Sequence, residues 1–112
     1  MENKPDLWVI IKITNDQLRA PIYKVLATWL GGYLDGDYWR LNSGIVRVEE
    51  DENNYMFYGY SGSCYVCNKN ERAYGTNSFS RGVLDNMINK AKDAGVDVEE
   101  LPSDTNWLEI EY

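Results

Sequence analysis

The chain has no histidine. That removes the side chain whose ordinary pKa lies nearest neutrality, and with it Ser-His-Asp and Cys-His nucleophile arrangements and every His-dependent metal motif. A G-x-S-x-G elbow, a phosphate-binding loop and a dinucleotide fingerprint are missing too. The first apolar run, Trp8 to Ile11, follows a polar Met1–Asp6 stretch and is far too short for a signal-peptide core or a bilayer span. A soluble, cytoplasmic protein is expected. Cysteine is scarce as well: Cys64 and Cys67 alone do not make a disulfide-stapled secreted scaffold. Positive charge is in deficit, with 11 Lys and Arg against 18 Asp and Glu and a net charge of −7. The whole-chain balance therefore lacks the basic footprint of a nucleic-acid binder. With no Pro/Ser-rich linker or internal repeat, the 112 residues read as one compact domain, 1–112.

What is present is unevenly placed. Residues 85–112 hold Asp85, Asp93, Asp97, Glu99, Glu100, Asp104, Glu109 and Glu111 against Lys90 and Lys92, while Lys69, Arg72 and Arg81 fall together just before them. Such a segment is either a solvated face that keeps the protein soluble or a negative face for a cationic protein surface. In the second case Asp97, Glu99, Glu100, Asp104, Glu109 and Glu111 are the partner-binding candidates.

Leu7–Ile13 is a β-branched apolar run that reads as a central strand buried on both faces. Ile22–Leu30 fits helical and strand spacing alike; strand is preferred because Tyr, Val, Thr and Trp suit a pleated surface and Ala20 is a poor helix cap. Tyr38–Asn42 and Ile45–Glu49 read as one strand kinked at Ser43-Gly44. A polar turn over residues 50–54 then leads into Tyr55–Tyr60 as a hairpin, and Ser63–Asn68 and Val96–Val98 offer further short strands. Residues 81–94 form the main helix, with Ser80 as N-cap, Phe79 stapled on Leu84, a stripe of Val83, Leu84, Met87, Ile88 and Ala91, and Gly95 past its end. Trp107–Tyr112 alternates as a last strand, with Trp107, Glu109 and Glu111 on one face. This order is α+β: an antiparallel sheet of about five or six strands with one helix on one face. The opposite face must curl on itself, be capped by loops, or meet a subunit or ligand; four tryptophans and nine tyrosines are available to line it.

Chemistry is sparse. Asp35 and Asp37 are a carboxylate pair, but Asp-Gly-Asp between strands is turn chemistry first. Cys64-Tyr-Val-Cys67 has the spacing of zinc knuckles and of redox pairs, yet it stands alone and lies on expected strand rather than at a helix N-terminus. Ordinary small cysteines, a metal shared across a dimer and a redox pair all remain open. No enzyme, cofactor or metal site is implied.

The most specified block is W-L-G-G-Y-L-D-G-D-Y-W-R-L-N-S-G-I, Trp29–Ile45. Its glycines suit turns and a bulge. Period-two geometry puts Arg40 and Asn42 on one face, where Arg40 can pair with a phosphate or carboxylate, Asn42 and Ser43 can add hydrogen bonds, and Tyr33 or Tyr38 can stack on a base. These five residues are the ligand-binding candidates. Together with Tyr58-Gly59-Tyr60-Ser61-Gly62-Ser63, the block resembles small uncharacterised accessory proteins of tailed bacteriophages. The resemblance implies a protein acting inside a bacterial host cell, where small proteins of this kind block a host or defence component. The expected function is non-catalytic inhibition of such a protein through an acidic, aromatic-rich surface, with DNA mimicry as one form. Sequestering a small nucleotide signal is the alternative, and homo-oligomeric assembly a second.

Overall fold

A computed structural model of the chain describes residues 2–31 and 36–112. The run around Val9 and Ile10 becomes β2, Leu7–Thr14, flanked by β1, Glu2–Asn3, and β3, Ile22–Trp29. Next come β4, Tyr38–Leu41; β5, Ile45–Glu50; β6, Asn54–Gly59; and β7, Cys64–Asn68. The helix α1, Ser78–Asp93, and β8, Asp97–Glu100, follow. The fold is α+β, but its strands divide into two sheets of four, ordered β4-β3-β2-β8 and β1-β7-β6-β5. All pairings are antiparallel except β1 with β7.

Alternation along β2 explains the layering. Val9 and Ile11, with Leu26 of β3, meet Leu84 of α1, whereas Trp8 and Ile10, with Val25 and Ala27, meet Ile45, Phe57, Tyr65 and Cys67 of the second sheet. The face that one helix cannot cover is thus covered by the chain itself. Full burial of Leu84 stabilises this packing by about 1.5–3 kcal/mol. β2 lies inside its sheet and carries four consecutive buried residues, as its sequence predicts. The ambiguity at residues 22–30 resolves as strand, because β3 has a partner along each edge, β2 and β4.

Two local expectations are corrected. The N-cap is Asn77, not Ser80: Asn77 Oδ1 accepts the Ser80 N–H at 2.9 Å while Ser80 Oγ accepts the Asn77 N–H at 3.1 Å. This reciprocal box starts the helix three residues earlier and places Phe79 within it, exposed. Trp107–Tyr112 is not a strand. Thr105 N–H donates to Pro102 O, Leu108 N–H to Asn106 Oδ1 and Glu109 N–H to Asn106 O, so consecutive turns displace a ladder. Trp107 consequently leaves Glu109 and Glu111 in solvent and enters the core among Trp8, Phe57 and Tyr74. No helix among the described residues is long and apolar enough to cross a membrane.

Candidate functional site

The kink expected at Ser43-Gly44 is where the chain changes sheets, since β4 edges one and β5 the other. Asn42 holds the corner. Its N–H donates to Val25 O at 3.0 Å and its Oδ1 accepts the Val25 N–H at 2.8 Å, so a side chain replaces the backbone in the ladder's last rung. Gly44 has φ of 131°, and a methyl group there would lie 2.9 Å from the Tyr60 ring. Tyr60 N–H donates to Gly44 O at 3.1 Å, which ties the β6–β7 turn to the corner. Ser43 Oγ accepts the Ser61 N–H at 3.0 Å, and the Ser61 hydroxyl stands 3.2 Å from Ser43 Oγ and 3.1 Å from Ser63 Oγ.

Between this corner and the β6–β7 turn lies a groove of about 410 Å³, lined by Asn3, Arg40, Leu41, Asn42, Ser43, Ser61, Ser63 and Tyr65. Of the five ligand-binding candidates it gathers Arg40, Asn42 and Ser43. Tyr38 is outside the lining, half-exposed and stacked on Trp29 with ring centroids 5.1 Å apart and planes at 5°. Tyr33 and Asp35 lie outside the described residues. Arg40 is exposed and, like Arg19 and Arg72, has no ion pair among the described residues, whereas Arg47, Lys69 and Arg81 pair with Glu49, Glu50 and Glu100. It stands close to Tyr65: burial pushes that hydroxyl up, and the Arg40 guanidinium pulls it the other way. Asn42 is 3% exposed, and its Nδ2 is buried without a hydrogen-bond partner. Sequence reading missed Asn3, Ser61, Ser63 and Tyr65; the Ser-Gly-Ser turn after an aromatic strand was the available signal.

No protein-family model, curated protein or solved structure matches this chain. The groove's own chemistry therefore carries the functional reading. Two other grooves are less selective. One, of about 350 Å³, has Asp6 and Arg72 in the same wall; the other, of about 260 Å³, has Lys69 lying 4.9 Å from the Tyr55 ring centroid.

The remaining candidates are dispersed. Glu100 is engaged by Arg81 through two bonds of 2.8 and 3.1 Å. Asp97, Glu99, Asp104, Glu109 and Glu111 are exposed. Asp37 Oδ1 accepts the Gly31 N–H at 3.2 Å across the β3–β4 connection, and its Oδ2 accepts from Asn77 Nδ2 at 2.7 Å, which ties Asp37 to the start of α1. Cys64 and Cys67 are free and buried; their spacing puts them on opposite faces of β7, with Cys67 in the core between the sheets. Burial pushes both thiols up, Cys67 well above the ordinary value, which opposes the thiolate form that redox chemistry and metal ligation use.

Proposed function

We propose that this chain is a non-catalytic binding protein that takes a small anionic ligand, with the phosphate of a nucleotide as the group recognised, into the corner groove. The observation that carries the reading is Arg40, an exposed guanidinium with no carboxylate partner among the described residues, beside three serine hydroxyls and the orphaned Asn42 amide. Arg40 offers a forked, permanently charged donor to phosphate, and the bonded chain of Ser43, Ser61 and Ser63 leaves one hydroxyl hydrogen for another of its oxygens. The groove's volume is within the usual 300–1,000 Å³ range of small-molecule sites. The resemblance to phage accessory proteins supplies a setting in which holding a signalling nucleotide is the whole activity.

Native mass spectrometry after incubation with cyclic and linear nucleotides tests the reading. A retained ligand is expected, with Arg40→Ala weakening it by about ten-fold or more, the loss of one charged hydrogen bond. A protein that stays empty throughout overturns it.

The second reading is an acidic face that engages a cationic protein of the host, and the five exposed carboxylates of residues 97–111 favour it. Binding of this kind weakens steeply with salt. Asp97→Asn with Glu99→Gln is expected to reduce salt-sensitive capture of a bacterial protein; capture that ignores both salt and these substitutions sinks the idea.

A further inference from the structure

Among the described residues, four strands border the two sheets, and three of them carry a device that discourages pairing with another chain. β1 has two residues. β5 is irregular between Ile45 and Arg47 and presents Arg47, Glu49 and Glu50. β8 reads Asp-Val-Glu-Glu, so a copy of itself would set carboxylate against carboxylate. β4, Tyr-Trp-Arg-Leu, has a regular register and no acid, and it exposes Tyr38, Trp39 and Arg40.

The direction of its backbone groups follows from two bonds. Asn42 N–H donates to Val25 O, and Asp6 N–H to Thr28 O, each at 3.0 Å. Odd residues of β3 therefore bond toward β4 and even ones toward β2. Tyr38 and Arg40, opposite Trp29 and Ala27, turn their amides inward; Trp39 and Leu41 turn theirs away from the sheet, where no strand lies among the described residues.

We propose that β4 pairs antiparallel with β4 of a second copy about a two-fold axis at Trp39. Trp39 then faces the partner's Trp39, Arg40 faces the partner's Tyr38, and Tyr38 faces the partner's Arg40. The outward amides match themselves, as an isologous contact requires. The strand's one charge meets a ring instead of its like, and Trp, Tyr and Arg are the side chains that dominate interface energy. Every other long edge brings carboxylates from subunits of net charge −7, whereas β4 brings a cation. Alternation puts Leu30 on the Trp39 side, and the Asn77–Asp37 bond brings the first turn of α1, with exposed Phe79, to the foot of the strand. Leu30 and Phe79 extend the contact beyond the three β4 residues that face one another, with Leu41 opposite the partner's Asp37, and the pairing joins two four-stranded sheets into one. Arg40 serves both the groove and this contact, whereas Trp39 lies on the opposite face, so Trp39 variants read the pairing apart from the groove's ligand.

A cysteine scan in the full chain tests the register. Directly opposed residues of this hydrogen-bonded type have Cα atoms about 5.5 Å apart, inside the range of about 4.4–6.8 Å that a disulfide spans. Trp39→Cys is expected to cross-link under mild oxidation about ten-fold faster than Tyr38→Cys, Leu41→Cys or the surface control Ser103→Cys. The native thiols are buried. Sedimentation of the unaltered chain should show a monomer–dimer equilibrium. Trp39→Pro deletes an outward N–H and keeps the inward ladder, and it should weaken the dimer by about thirty-fold with the circular dichroism retained. A monomer at every concentration up to about 0.5 mM overturns the proposal. So does fastest cross-linking at any other position. Should Trp39→Pro not fold, the cysteine scan and sedimentation decide.

Discussion

Trp107 and Trp39 are both indoles on short peripheral segments, yet one is 2% exposed and the other 39%. Trp107 meets Trp8, Phe57 and Tyr74, with ring centroids 5.9, 6.3 and 5.7 Å away, and closes one side of the space between the sheets. Trp39 stands on the outermost strand of its sheet, on the side where Leu26, Leu41 and Leu84 pack, and is only partly covered. The difference is one of supply. Burial follows from the rings that other segments bring to the same place, and three segments converge on Trp107. Around β4 the chain spends its residues on holding a corner, and the rings and guanidinium there are left to meet something else.

The contrast can be broken most severely at Trp107. Trp107→Ala removes the ring shared by β2, β6 and the Tyr74 segment and is expected to cost about 3–5 kcal/mol, read as a fall in the urea midpoint. A loss under about 1 kcal/mol would mean that the cluster closes without it. Gly44→Ala should come next, at about 1–3 kcal/mol, because its φ of 131° is strained for any side chain. Adding Tyr60→Ala separates two causes. It relieves the 2.9 Å approach to the ring and leaves the backbone strain, so rescue by half or more would assign the cost to the contact. Arg40→Ala is expected to do least, within about 0.5 kcal/mol in the same unfolding experiment, since Arg40 has no ion pair among the described residues. A larger loss would make Arg40 part of the architecture and undercut its role at the groove.

Much of this was legible residue by residue. The run at Leu7–Ile13, the hairpin after Glu50, the kink at Ser43-Gly44 and Gly95 past the helix each announce a backbone conformation through chemistry within a few positions, and all are present. Reading faltered where two local signals competed. Asn77 and Ser80 are both good caps, and the winner is the one whose bond the other returns. Trp107–Tyr112 alternates well enough for a strand, but Asn106 turns the backbone first. At the groove, Arg40, Asn42 and Ser43 were recognisable because they sit within four positions of one another. Ser61, Ser63 and Tyr65 were not, because only the β6–β7 turn folding onto the corner brings them there.

From the sequence came an acidic α+β chain without histidine chemistry, with most of its strands, its helix and a kink at Ser43-Gly44. These follow from periodicity, glycine conformation and capping, which act over a few residues and need no distant partner. The tertiary structure alone decided that one sheet becomes two, that Cys64 and Cys67 point apart, that Glu100 serves Arg81, and which rings are buried. Each of those depends on surfaces brought together by long-range pairing, and identical side chains at such surfaces meet opposite fates according to what arrives across from them.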